Sequence, residues 1–178
     1  MTTEQLITKA QNGNQTAIHK LYENYETYWF RLCLRYGRNR SEAQDIFQEG
    51  VLKIFQKLEK FDVNRGTFKS WSSRVIINQA LKYLQKHQWQ QSFDDLKMVE
   101  NEADFSIHII ETISARELTE IIQQLPSGYR MIFNMHEIEG FSHREIAETL
   151  NISIGTSKSQ LSKAKRLLRE KLKALYNS

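Results

Sequence analysis

Seven basic side chains crowd the end of the chain at a spacing that suits a nucleic-acid reader. Lys158, Lys163, Lys165, Arg166, Arg169, Lys171 and Lys173 face one acid, Glu170, between Gly155 and Ser178, a local net charge of +6 against +4 for the whole chain. Such a density of cations on one side of a helix attracts a polyanion, although a plainly solvated helix face carries the same pattern. A second basic set, Lys69, Arg74, Asn78, Lys82 and Lys86, follows a polar loop and lies among aromatic residues. Cations that track phosphates beside pockets for unstacked bases are the chemistry that holds single strands, and here too a solvated face is the alternative. The opposite charge gathers at Glu42, Asp45, Gln48 and Glu49, within two helical turns. These residues either present carboxylates together to a cationic partner or compensate the dipole at a helix N-terminus.

Catalytic chemistry finds little support. His136 and His143 lie seven apart with no cysteine or third histidine near them, which argues against zinc and for surface or satisfied histidines. No GxGxxG, GxxxxGK[ST] or GxSxG pattern occurs, and spacing nominates no Ser-His-Asp set. The remaining enzyme reading is a metal-dependent nuclease using Asp45, Glu49 and a further carboxylate. The one cysteine, Cys33, sits between apolar neighbours, excludes an internal disulfide, reads as an inert core thiol and fits a reducing cytoplasm. MTTEQLITKAQNG lacks the pattern of a signal peptide, and no window is apolar enough to span a membrane.

The elements that must position these residues are helical. One Pro, seven Gly, a hydrophobic share of 40% and few β-branched runs indicate an all-α chain with short polar turns. Thr2 to Gln5 forms a capping-box pattern, Asn12-Gly13-Asn14 breaks the first helix, and the second continues through the aromatic run to Tyr36 as core. Ser41 is expected to cap a helix carrying Ile46, Phe47, Val51, Ile54, Phe55 and Leu58 inward. Phe61 to Gly66 reads as a loop with a positive φ at its end, and Thr67 caps a helix from Phe68 to about His87. On that helix Ser73 is expected to face outward with Lys69 and Arg74, while Trp71 faces the core.

Periodicity fades from Gln88 to Ser106, where five acids oppose Lys97. This segment is expected to be an acidic linker at 89–106, between helical domains at 1–88 and 107–178. Helical periodicity resumes over Ile107 to Leu125, Pro126 opens a helix that Gly140 ends, and Ser142-His143-Arg144-Glu145 starts another with a capping box. Asn151-Ile152-Ser153 turns the chain into a last helix lined by Leu161, Ala164, Leu168, Leu172 and Leu175. The second domain therefore contains a helix-turn-helix.

Three strings carry a family resemblance: DIFQEGVLKIFQKLEKFD, FKSWSSRVIINQALKYLQKH, and the run LPSGYRMIFNMHEIEGFSHREIAETLNISIGTSKSQLSKAKRLLREKL. The chain resembles bacterial RNA polymerase sigma factors of the extracytoplasmic-function group, with the first two strings similar to region 2 and the third to region 4. Helix-turn-helix regulators share the EIAETLNIS core, so specificity comes from its pairing with the region 2 strings. The resemblance implies core RNA polymerase and promoter DNA as partners, an anti-sigma factor as a further one, no cofactor, and no catalysis by the chain itself. It implies that Asp45, Gln48, Glu49, Leu52 and Phe55 dock on the clamp coiled coil of the polymerase largest subunit. It places Asn64, Arg65, Arg74, Asn78 and Lys82 at the melted −10 element. In region 4 it aligns Lys158, Ser159, Ser162 and Lys163 with positions facing −35 bases, and Thr156, Lys165 and Arg166 with phosphates. The acidic linker would occupy the polymerase's nucleic-acid channel as a polyanion mimic. One departure stands out: Ser72-Ser73 follows Trp71 where such helices usually carry an apolar or aromatic pair.

Two other classes remain open from the residues alone. One is a helix-turn-helix regulator with an N-terminal sensing or interaction domain. The other is an interaction module whose basic tail is only solvated.

Overall fold

The computed structural model describes residues 2–87 and 114–176, and the described residues hold helices and no strand. Compactness divides the chain into two units, Met1–Tyr83 and Leu84–Ser178. The expected linker at 89–106, with Asp94, Asp95, Glu100, Glu102 and Asp104, lies outside the described residues, as does Ile107 to Ile113.

The first unit is built from α1 (Thr3–Gln11), α2 (Gln15–Tyr36), α3 (Arg40–Gln56) and α4 (Phe68–His87), whose last turn from Leu84 is grouped with the second unit. Thr2 closes the expected capping box with Gln5. Asn14 caps α2 through Ala17. The cap of α3 is Asn39 rather than Ser41: the Asn39 side chain accepts from the Glu42 amide at 2.9 Å. Glu42 is then drawn inward, where it accepts from Arg38 Nη2 at 2.8 Å. Of the three acids in that set this residue is buried, at 7% exposure, so it leaves the outer face.

Of the aromatic run expected as core, Trp29 and Tyr36 are buried while Tyr22, Tyr25, Tyr28 and Phe30 are half-buried. Trp29, Leu32, Cys33 and Tyr36 are fully buried, and burial pushes the Cys33 thiol up to about 12, which leaves it unreactive. Trp29 stacks on Tyr25 at 5.5 Å and meets Phe55 edge-on at 6.2 Å. Gly50 lets α3 approach α4 closely, since a Cβ there would stand 3.1 Å from Ile76 Cγ1.

Ser72 and Ser73 acquire a reason in this packing. Trp29 Nε1 donates to the Ser72 hydroxyl at 3.0 Å, and Tyr28 Oη pairs with Ser73 Oγ at 2.8 Å. The polar tips of two aromatic side chains on α2 thus find partners on α4, as buried polar groups require. Ser73, expected outside, is accordingly buried. An apolar pair at these positions would strand the buried indole N–H of Trp29.

The second unit contains α5 (Ala115–Gln123), α6 (Ser127–Phe133), α7 (His143–Leu150) and α8 (Ile154–Tyr176). Helix α6 runs into a π-helical turn at Asn134–Ile138, where the Glu139 amide reaches the Asn134 carbonyl at 3.0 Å. The turn after it uses Gly140, whose φ of 76° lies in the left-handed region. Ile122, Met131, Ile132, Ile146, Ala164 and Leu168 form the centre of this core, fully buried. Leu175, expected on the inner stripe of α8, is 59% exposed. The stripe reaches only as far as there are helices to cover it.

Candidate nucleic-acid and polymerase interfaces

On α3 the residues Asp45, Gln48, Glu49 and Leu52 recur at steps of three and four, and all are exposed, Leu52 by 56%. Phe55 is half-buried at the edge of this face, against Trp29. Two of the carboxylates are oriented from α4: Tyr83 Oη donates to Asp45 Oδ2 at 3.3 Å, and Gln79 Nε2 donates to Glu49 Oε2. Burial first, then the charges of Glu42 and Asp45, raise the Tyr83 phenol, so at neutral pH it remains the donor. The face therefore pairs an exposed leucine with braced negative charge. Neither Gln79 nor Tyr83 was legible as a bracing residue, because nothing local in the sequence shows which side chains of α4 reach α3.

The loop before α4 is braced by Asp62, whose Oδ1 accepts from the Asn64 amide at 2.9 Å and from Asn64 Nδ2 at 3.0 Å. Arg65 Nε stands 3.7 Å from Asp62 Oδ2 with its side chain 88% exposed. Gly66 follows with φ 145° and ψ −179°, a conformation open essentially to glycine. Thr67 then accepts from the Ser70 amide at 3.2 Å, as a cap should. Arg74, Asn78 and Lys82, four apart along α4, are all exposed. Trp71 is half-buried, tilted on Phe61 at 5.3 Å and on Phe68 at 5.7 Å, so its ring closes an aromatic cluster beside the loop.

In the second unit the helix-turn-helix forms as its residues predict. Ser142 and Glu145 make the capping box of α7, and Asn151 ends it in the left-handed conformation, φ 55° and ψ 48°. Ser153 opens α8 by accepting from the Thr156 amide at 2.9 Å. Lys158 and Ser162 are exposed one turn apart, while Ser159 and Lys163 beside them are half-buried. Ser159 Oγ donates back to the Thr156 carbonyl at 3.1 Å.

Thr156 lies half-buried, its hydroxyl 2.8 Å from Ser153 Oγ. Arg166 is exposed, with Glu170 at 3.9 Å. Lys165 Nζ lies 2.9 Å from Glu137 Oε1, so a phosphate there would compete with a carboxylate.

That ion pair belongs to a cluster the sequence concealed. His136 and His143 stack with ring centroids 4.4 Å apart and planes inclined by 24°. His136 Nδ1 lies 2.9 Å from Glu137 Oε1, and His143 Nδ1 lies 2.9 Å from the hydroxyl of the fully buried Ser157. Burial opposes ionisation of Glu137, but hydrogen bonds and charge from Lys165 and His136 outweigh it and hold the carboxyl below its ordinary range. The one legible signal was the separation of seven, which brings two helical residues to one side only while the helix is continuous. Here the Gly140 turn intervenes. Among the described residues, no group of three or more His, Cys, Asp or Glu is placed to hold a metal ion.

Comparison with known proteins matches two separate stretches of the chain. The Sigma-70 region 2 description matches residues 21–90, and the Sigma-70, region 4 description matches residues 115–168. The ECF RNA polymerase sigma factor SigW of Bacillus subtilis is 28% identical, over 98% of this chain and 99% of that protein. The ECF RNA polymerase sigma-E factor of Haemophilus influenzae is 26% identical, over 98% of this chain and 97% of its own. A solved sigma factor from Bartonella quintana, RpoE in complex with the anti-sigma factor NepR, superposes with a TM-score of 0.53 at 19% identity, covering 87% of this chain and 96% of that one. The matches to regions 2 and 4 on this helical fold thus define a promoter-specificity factor of the transcription machinery. The chain belongs to the sigma-70 family, as an extracytoplasmic-function RNA polymerase sigma factor carrying regions 2 and 4.

Proposed function

We propose that this protein binds core RNA polymerase through the α3 face, seats the enzyme on a −35 element through α8, and holds the opened −10 strand along α4. The observation that carries this reading is the presence on one chain of an exposed acidic-leucine face and two separate basic helix faces, within matches to regions 2 and 4. Asp45, Gln48, Glu49 and Leu52, with Phe55 at the rim, form the docking surface. At the −10 element Arg74 and Lys82 follow phosphates, while Asn64, Arg65 and Asn78 meet extruded bases, whose unstacking costs a few kcal/mol that these contacts offset. At the −35 element Lys158, Ser159, Ser162 and Lys163 face base edges in the major groove. Thr156, Lys165 and Arg166 lie toward the backbone.

The chemistry of RNA synthesis stays with the polymerase, so the chain acts as an initiation factor and not as an enzyme, in the cytoplasm where the polymerase works. Domain limits of 1–88 and 107–178 with an acidic linker at 89–106 fit this division of labour. The likeness to a sigma factor solved with an anti-sigma factor supports an inhibitory protein partner for this chain too.

Run-off transcription by core enzyme plus the full chain, on a template library randomised at both elements, tests the reading. Discrete start sites that share two sequence elements are expected. No start sites above core enzyme alone would remove it, and specific duplex binding without any affinity for polymerase would indicate a free-standing helix-turn-helix regulator.

A further inference from the structure

His143 stands in the first turn of α7, and its ring reaches two other elements. Nδ1 lies 2.9 Å from Ser157 Oγ on α8, and the ring stacks at 4.4 Å on His136 in the π-helical turn. Ser157 is fully buried, and the residue after it, Lys158, is exposed. Whatever fixes Ser157 therefore sets the direction in which the first base-facing residue of α8 points. A π-helical turn at this place is itself notable, because such turns are rare and concentrate at functional positions.

We propose that His143 is a positioning residue for the base-reading edge of α8: its neutral ring, stacked on His136 and tied to Ser157, seats α8 on α7, and protonating that ring loosens the seat. The inference rests on α8 being the −35 reader. The charged groups facing His143 are His136 and Glu137 from the π-helical turn and Lys158 and Lys165 from α8, while its own helix contributes the positive end of its dipole. Glu137 is the single opposing charge among them, and it already binds Lys165 and His136. A second proton would place two cations in contact across the stack.

Burial first, then His136, Lys158 and Lys165, hold the His143 ring below its ordinary value. The unfolded chain consequently takes up this proton before the folded one does. The stability that the neutral ring contributes is complete above about pH 6.5 and is lost as pH falls from there toward the folded value.

The test uses the full chain, a −35 duplex selected by it from a randomised pool, and a scrambled duplex of equal length. The ratio of the two affinities cancels the general gain in attraction that any added positive charge gives on DNA. Between about pH 7.5 and about pH 5.5 the wild-type ratio should fall about three- to tenfold, the scale of one net hydrogen bond. His143→Asn places a neutral amide where Nδ1 stood, and its ratio should stay flat over that range. Ser157→Ala should show a low ratio at both ends.

A common pH course for wild type and His143→Asn, or an undiminished ratio in Ser157→Ala, would overturn the proposal. Ring-proton NMR of the free chain should show His143 titrating below the ordinary histidine value with a response to His136. An ordinary, independent titration would overturn it as well. If the chain prefers no duplex, the assignment of α8 falls and the proposal with it. A depressed His143 titration would then locate the fault in the assignment, not in the seating of α8 on α7.

Discussion

Lys158 and Arg166 lie on one helix yet should answer differently to the same pair of duplexes. Lys158 is exposed near the start of α8, where a lysine can donate to guanine O6 and N7. Lys158→Ala is therefore expected to weaken the selected −35 duplex by about 1–3 kcal/mol more than a scrambled one, measured by titration at fixed salt. Arg166→Ala should weaken both equally and reduce the slope of log affinity against log salt by about one. Equal losses from both substitutions would place Lys158 on the backbone. Lys165, assigned to the backbone with Arg166, must first give up the Glu137 carboxylate 2.9 Å from its ammonium, so its alanine variant should lose less of the salt slope than Arg166→Ala. The exposed positions were legible from helical spacing; the engagement of Lys165 was not, because its partner lies 28 residues earlier across a turn and another helix.

At the scale of elements, the caps and turns were read nearly correctly from local chemistry. Ser142 with Glu145, Thr67 before α4, Gly66 with its positive φ and Asn151 between α7 and α8 each satisfy a backbone requirement that only a few residue types meet. The cap of α3 moved from Ser41 to Asn39, two residues earlier, because Asn39 offers the same oxygen one half-turn sooner and Arg38 then holds Glu42. Ser72 is the position where one element most depends on another. Ser72→Ala leaves Trp29 Nε1 buried without its 3.0 Å partner and should cost about 1–3 kcal/mol in chemical unfolding. Ser72→Thr keeps the hydroxyl but adds a methyl group to a fully buried site, so a smaller loss is expected. Equal stability of the alanine variant and the wild type would show that the indole finds another acceptor.

At the scale of the whole molecule, the residues proposed for docking and those proposed for DNA reading sit on different helices, α3 against α4 and α8. Leu52→Glu removes the exposed apolar group of the α3 face without touching the core. It should lower affinity for core polymerase at least tenfold in a pull-down titration, a loss typical of an interface hot spot, while the melting temperature stays within a few degrees of wild type. A loss of polymerase binding in step with unfolding would mean that Leu52 serves the fold.

The one-dimensional pattern determined the all-α class, most helix starts, most of each apolar stripe and where the three charged faces lie, because each depends on residues within a turn or two of one another. Tertiary structure alone decided that Glu42 turns inward, that Ser72 and Ser73 serve the aromatic tips of α2, that α4 braces the carboxylates of α3, and that His136, His143 and Ser157 meet. Apart from Glu42, whose partner Arg38 is only four residues away, those contacts join residues of different helices. Which side chains meet there follows from how the helices pack, a property of the folded chain that no local spacing contains.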